Sequence, residues 1–217
     1  MKIHKEGFKV IPSVALLFLV FNAAVFLSVG PSPVFYIILA LSTLFLLFNF
    51  MFFRDPQTVK SARPGEVLSV ADGTVVVIEP ALEDEYFKDE RIQISVFMSV
   101  YNVHINHIPI NGQIIYQKHH SGRFIPAYHA KSSGENERCT TVIRTDDGKE
   151  ILVRQIAGIV ARRIASYKGE GDPVTVRDQL GFIRFGSRVD LFFPKSAEIL
   201  VKMDQKVKGG ITVIGKI

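Results

Sequence analysis

From Val10 to Phe53 the chain carries no Asp, Glu, Lys or Arg. That run is longer than the roughly 20 apolar residues one helix needs to cross a bilayer, and it accommodates two. Gly30-Pro31-Ser32-Pro33 interrupts it, and Pro, with its fixed φ and missing N–H, continues neither helix. The pattern predicts a two-helix transmembrane hairpin, Ile11 to Val29 and Val34 to Phe53. A secretory signal peptide fits less well, because the apolar run exceeds a signal h-region and no small-residue cleavage site separates the two spans. Lys2, Lys5 and Lys9 precede the first span, Arg54, Lys60 and Arg63 follow the second, and the connecting turn is uncharged. The positive-inside rule then places both flanks in the cytoplasm. The expected organisation is a basic N-terminal segment (1–9), the hairpin (10–53) and a domain (54–217) on the cytoplasmic side of the cell membrane.

The net charge of +5 fits attraction to an anionic leaflet, worth about 1 kcal/mol per well-placed Lys or Arg. The basic residues are dispersed and no aromatic-basic motif accompanies them, which argues against nucleic acid as a partner. Cys139 is the one cysteine, so the chain has neither an intrachain disulfide nor a CxxC metal site.

After the hairpin the sequence is strand-like. Arg91 to Val96 alternates polar and apolar residues, and Gly73 to Ile78 is a β-branched run after a turn. Similar runs occupy Gln113–Gln117, Thr140–Arg144, Glu150–Gln155, Val189–Phe193 and Ala197–Val201, with Gly, Pro, Asn and Asp between them; 158–166 is ambiguous. The expected class is β-rich, all-β or α+β, as a sandwich or barrel-like domain. Val67–Val75 and Val207–Gly215 echo each other as strand-turn-strand units. The Val207–Gly215 unit resembles the hammerhead of biotinyl- and lipoyl-carrier domains but lacks their modified lysine, so shared β-geometry is preferred over a carrier role.

Three stretches bear chemistry. Ala71-Asp72-Gly73 is by itself a common turn. Tyr101 to Gly112 holds His104 and His107, which would share a face on a helix and point apart on a strand. Pro109 and β-branched flanks favour an irregular loop there. Histidine is the proton carrier of neutral pH, so the pair suggests acid/base work, with structural histidines as the alternative. A zinc site would draw on His119, His120, His129 and Cys139, none at a familiar spacing, and no metal is expected. Gly186-Ser187 lacks the G-x-S-x-G elbow of a serine hydrolase.

Together with Phe52-Phe53-Arg54-Asp55-Pro56 and Asn136-Glu137-Arg138, these stretches resemble the phosphatidylserine decarboxylase family, in order and across essentially the whole chain. Phe185-Gly186-Ser187-Arg188 stands where longer bacterial members read Leu-Gly-Ser-Thr, which resembles the compact branch. The resemblance implies a proenzyme. The Ser187 hydroxyl attacks the Gly186 carbonyl, and the ester eliminates to dehydroalanine at 187. Hydrolysis with loss of ammonia leaves a covalent pyruvoyl group. The products are a β chain, 1–186, and an α chain, 187–217, which stay associated; homo-oligomers are left open. By the same resemblance His107 is the base, Asp72 orients it, and His104 serves decarboxylation, either binding substrate or protonating the carbanion. The pyruvoyl group forms a Schiff base with phosphatidylserine and, as carbon dioxide leaves, acts as the electron sink on the way to phosphatidylethanolamine. The alternatives are decarboxylation of a related lipid such as archaetidylserine, or a non-enzymatic membrane-tethered adaptor. Phe97 and Tyr101 are candidates to line the pocket, and Arg54 and Arg63 to meet lipid phosphates.

Overall fold

The computed structural model describes residues 2–57, 59–123, 125, 135–158, 164–184 and 187–217. It divides into two compact units, Met1–Gln57 and Thr58–Ile217.

In the first unit, strand β1 (Lys2–Ile3) leads into helices α1 (Gly7–Val29) and α2 (Pro33–Phe52), followed by β2 (Arg54–Asp55). Helix α1 begins before the expected Ile11 and carries Pro12 inside it. Both helices are long and apolar enough to cross a membrane, about 35 and 30 Å at 1.5 Å per residue. The turn between them is built as its sequence demands. Gly30 ends α1 at φ +65°, and the Ser32 hydroxyl accepts from the Phe35 N–H with Pro33 opening α2. Asn22 and Asn49 donate to the carbonyls of Phe18 and Phe45, satisfying polar groups that lipid could not. Large apolar side chains such as Leu16, Leu19, Leu27 and Leu44 face outward, an arrangement suited to hydrocarbon rather than water. Pairing of β1 with β2 ties the two ends of the hairpin together. Phe52 and Phe53 are fully buried and pack edge-to-face, while Arg54 donates to the Met51 carbonyl. The Phe52–Pro56 motif therefore closes the hairpin.

The second unit runs β3 (Glu66–Leu68), β4 (Gly73–Glu83), β5 (Asp89–Met98), β6 (Ile105–His107), β7 (Gly112–His120), β8 (Arg138–Arg144) and β9 (Glu150–Ile156). It continues with β10 (Ile164–Ser166), β11 (Pro173–Val174), β12 (Gln179–Ile183), β13 (Ser187–Phe193), β14 (Glu198–Ile199), β15 (Lys206–Val207) and β16 (Val213–Lys216). Among the described residues these form a curled eight-stranded sheet, β11-β7-β8-β9-β13-β5-β4-β15, and two three-stranded sheets, β10-β12-β6 and β14-β16-β3. Every paired strand is antiparallel to its neighbour. The β-rich expectation holds, and so does the hairpin before it. Within 158–166 only Ile164–Ser166 is a described element, and it is a strand; of Ala197–Val201 only Glu198–Ile199 pairs.

One face of the large sheet supplies Val75, Val96, Val153, Val189 and Leu191 to a core completed by Val67, Ile108, Ile110, Leu180 and Ile183 from the smaller sheets and their connections. The two echoing segments clasp each other. Lys206 and Val207 pair with Thr74 and Gly73, and Val213 and Gly215 with Leu68 and Val67. Between them the Gly210 N–H donates to the Ser69 carbonyl and the Ser69 N–H to Thr212.

The opposite face of the sheet is polar where alternation alone predicts solvent. Glu83 is fully buried, accepts the backbone N–H groups of Glu85, Tyr86 and Phe87, and takes Arg154 at 2.6 Å. Glu85 receives His120 at 2.7 Å, Thr140 at 2.9 Å and Tyr116 at 3.0 Å. Burial pushes the Glu85 carboxyl up, but these three donors and the Arg154 charge outweigh it and hold it below the usual range. Buried charges persist only when so fully paired. A depressed carboxyl stabilises the fold above its unfolded value and loses that contribution as pH falls through the folded one. Glu85→Gln should therefore cost about 1.5–3 kcal/mol at pH 7. The deficit should shrink below about pH 4.3, as measured by thermal unfolding of the solubilised chain. A deficit unchanged down to pH 3 would contradict this assignment.

Candidate active site

Asp72 and His107 are brought to the same glycine pair by the clasp. The Gly209 N–H donates to Asp72 Oδ1 at 2.8 Å. A Cβ on Gly209 would stand 3.1 Å from His107 Cδ2 and from the Ala71 backbone, and one on Gly210, already at φ +66°, 3.3 Å from His107 Cγ. Glycine lets the turn lie against both the imidazole and Ala71 without displacing either, and suits the positive φ at 210. Gly73 has its own reason: a Cβ there would meet the Phe97 carbonyl oxygen at 2.2 Å, so the residue after Asp72 admits no side chain beside β5.

The histidine stretch is more regular than an irregular loop. Ile105–His107 is a strand paired with β12, because Asn106 and His107 can alternate between the large sheet and the clasp. His107 is 7 % exposed, and its N–H donates to the Val70 carbonyl. His104, fully buried, precedes the strand; its Nδ1 lies 2.9 Å from the Asn102 carbonyl oxygen and its ring 6.3 Å from that of Phe182. Pro109 sits where only a carbonyl is required, accepting from the Leu68 N–H.

Ser187 opens β13, fully buried and paired with Met98. Its Oγ is 3.9 Å from Met98 Sδ, which also receives the Asn106 amide at 3.6 Å; the Gln155 amide in turn donates to Asn106 Oδ1 at 2.7 Å. A wholly buried chain thus runs Gln155–Asn106–Met98–Ser187, linking the serine to the strand that carries His107. Gly186 and Phe185, and with them the acyl side of the expected cleavage bond, lie outside the described residues.

Arg188 points to the other face of β13 from Ser187 and grips Asp190 at 2.8 and 3.1 Å. The departure from the longer family pattern at this position thus builds a buried pair away from the serine side chain. Asn136 is likewise structural, its amide donating to the Ala157 and Ile125 carbonyls. Glu137 accepts from the Ile164 N–H and lies 3.3 Å from His119. Of the weighed zinc ligands, His120 is bound to Glu85, Cys139 faces His119 across strands, and His129 lies outside the described residues.

Sequence reasoning passed over Met98, Asn106, Gln155 and Gly209. Their signals were present: an asparagine between two histidines, a glutamine at a core-facing register, and a Gly-Gly pair in the echoed segment.

These features define a class, a strand-rich enzyme behind two apolar helices that associate with membrane, carrying a buried serine with two histidines and an aspartate on adjoining elements. Residues 45–215 match the family described as phosphatidylserine decarboxylase. Relatives named phosphatidylserine decarboxylase proenzyme occur in Amoebophilus asiaticus, 47 % identical over all of this chain and 97 % of the relative, and in Parabacteroides distasonis, 43 % identical over all of this chain and 99 % of the relative. Another, in Cytophaga hutchinsonii, is 42 % identical over all of this chain and 99 % of the relative. The chain belongs to the phosphatidylserine decarboxylase family. It is a decarboxylase proenzyme, a lyase of phospholipid biosynthesis, and not an adaptor.

Two substitutions probe the geometry. Gly209→Ala should displace His107 or Ala71 by a few tenths of an ångström and slow self-cleavage at least tenfold, read as the rate at which full-length chain disappears on a gel. Met98→Leu conserves volume and removes the sulfur, so it should keep the melting temperature within a few degrees while slowing cleavage. Unchanged cleavage in both would detach these contacts from the site.

Proposed function

We propose that Ser187 is the precursor of a pyruvoyl group and that Asp72, His107 and His104 are the groups that make and use it. The observation that carries this reading is the placement of Ser187, wholly buried at the start of a strand held on both sides by β5 and β9. A hydroxyl there is a poor nucleophile until a base removes its proton, and His107 is the base, oriented together with Asp72 by the Gly209–Gly210 turn. The hydroxyl oxygen bonds to the Gly186 carbonyl carbon and the peptide C–N bond breaks, giving an ester and a free amine at 187. Loss of the Cα proton expels the Gly186 carboxylate, and water releases ammonia to leave the keto-acyl end.

Position 187 suits such a carbonyl. Its neighbours are the Met98 thioether and, one step on, the neutral amides of Asn106 and Gln155. Cys139 stands opposite Gln155 on β8, and burial pushes its thiol up to about 11, so it stays protonated and does not add to the carbonyl. The pyruvoyl group, once formed, supplies an electron sink for decarboxylation of the lipid amino acid. His104, its Nδ1 held by the Asn102 carbonyl, handles a proton in turnover through its other nitrogen. No cofactor other than this self-made one enters the reading.

The α chain stays in place after cleavage because β13, β15 and β16 remain paired to β5, β9, β4 and β3. The substrate is a phospholipid, phosphatidylserine by the family, and the domain meets it from the cytoplasmic side, where the Lys and Arg flanks of the hairpin place it.

Ser187→Ala should yield only full-length chain without decarboxylase activity. His107→Ala should also remain uncleaved, whereas His104→Ala should cleave yet lose about 10²–10⁴ in turnover. The reverse pattern would exchange the two histidines, and efficient cleavage of Ser187→Ala would remove Ser187 from the role. In the processed enzyme the two chains should co-elute on gel filtration until denaturant is added.

A further inference from the structure

Asp72 also forms part of the wall of a cleft of about 510 Å³. On the outer side of that cleft β15 and the residue after it present Lys206 and Lys208, two apart and therefore on one face. Both are exposed. Neither ammonium group makes an ion pair among the described residues, although acidic groups elsewhere on the domain have recruited lysines: Lys195 meets Glu90, Lys168 meets Asp178 and Lys216 meets Glu198. Thr74, the cross-strand partner of Lys206, brings a hydroxyl to the same wall. Asn102 also lines the cleft; its Oδ1 accepts from the N–H and hydroxyl of Ser99, which leaves its amide NH₂ as the donor end. The lining is thus rich in donors, and its single carboxylate, Asp72, is already engaged by the Gly209 N–H.

The contrast with the cleft of about 370 Å³ at Arg63 is chemical. There Glu66, Asp146 and Asp147 stand beside Arg63 and Lys149, so an anion meets as much repulsion as attraction. Arg63, a candidate from sequence for lipid phosphate, has these carboxylates beside it, and Arg54 gives one N–H to the Met51 carbonyl. Two lysines without an acidic partner, a hydroxyl and an amide around one hollow are what an anion with several acceptor oxygens requires.

The cleft is also joined to the reactive groups. Asn102, which lines it, holds His104 by its carbonyl oxygen, and Asp72 belongs to the His107 turn. Phe97 and Tyr101 contribute aromatic wall, and Tyr101 is 69 % exposed at its edge, an amphipathic ring at a wet boundary.

We propose that Lys206 and Lys208, with Thr74 and Asn102, form the subsite for the phosphodiester of the substrate headgroup. This rests on the decarboxylase reading and adds to it the residues that hold the lipid. A phosphodiester does not change charge during decarboxylation, so the subsite binds ground state and transition state alike and governs KM rather than kcat.

The test uses glycerophosphoserine, a soluble phosphodiester without acyl chains, in calorimetry with the detergent-solubilised full-length Ser187→Ala chain. This arm needs no processing, so its result stands whether or not the pyruvoyl reading survives. Glycerophosphoserine should bind, and Lys206→Gln/Lys208→Gln should weaken it about tenfold, the scale of one lost charge-assisted hydrogen bond. Free serine and inorganic phosphate are the comparison probes. In the processed enzyme the double variant should raise KM for monomeric short-chain phosphatidylserine about tenfold with kcat changed less than threefold. Equal affinity in parent and double variant overturns the proposal, as does inorganic phosphate binding as tightly as the diester, which marks a free-phosphate site. A KM effect seen on vesicles but absent with monomeric substrate also overturns it, because the lysines would then serve bulk attraction to the membrane.

Discussion

The hydrogen bond from the Gly209 N–H to Asp72 is the contact on which the account turns. It exists because two similar strand-turn-strand segments, one near the start of the domain and one near its end, pair with each other. That pairing lays the turn of residues 209 and 210 against His107 and brings the Gly209 N–H to the carboxylate of Asp72. Its sequence separation is large, so the loop-closure entropy must be met by the surrounding ladders rather than by the bond itself. The ladders supply it through β3–β16 and β4–β15, with Val67, Val207 and Ile214 in the shared core.

The same arrangement explains how a chain can be cut near its C-terminus without falling apart. The proposed cut lies immediately before β13, and everything after it is woven into sheets whose other members lie before it. Cleavage would release one covalent bond and leave the hydrogen-bond ladders and the buried faces of Val189, Leu191 and Phe193 intact. The new chain end would then form at a buried position, Ser187 being fully buried.

Much of this was legible in the sequence, and the limits have physical causes. The hairpin was readable because an uncharged run of that length has no other economical solution than hydrocarbon, and the Gly-Pro-Ser-Pro turn announced its own caps. The strands were readable from period-two alternation, but their outer face was not. Arg154, Glu83, Arg188 and Asp190 are buried there in pairs, which alternation does not foretell, since it reports which residues share a face and not what covers it. His104 and His107 stood out as a pair of candidates, yet the three-residue strand that carries His107 was hidden by Pro109. Asn106 between them was in plain view, but its link to Met98 was not, because a contact to sulfur leaves no spacing signature. Gly209 had the pattern of an ordinary turn glycine; the neighbouring imidazole and the Ala71 backbone show why a Cβ there is crowded.

The central claim is that residue 187 ceases to be serine, and the mass of the C-terminal fragment tests it most directly. Intact-mass spectrometry of the purified protein, denatured to separate its chains, should show a fragment of residues 187–217 lighter by one ammonia than the peptide with N-terminal serine. Its partner should end at Gly186. A single uncut chain in a preparation that decarboxylates phosphatidylserine, or a fragment that still begins with serine, would contradict the account.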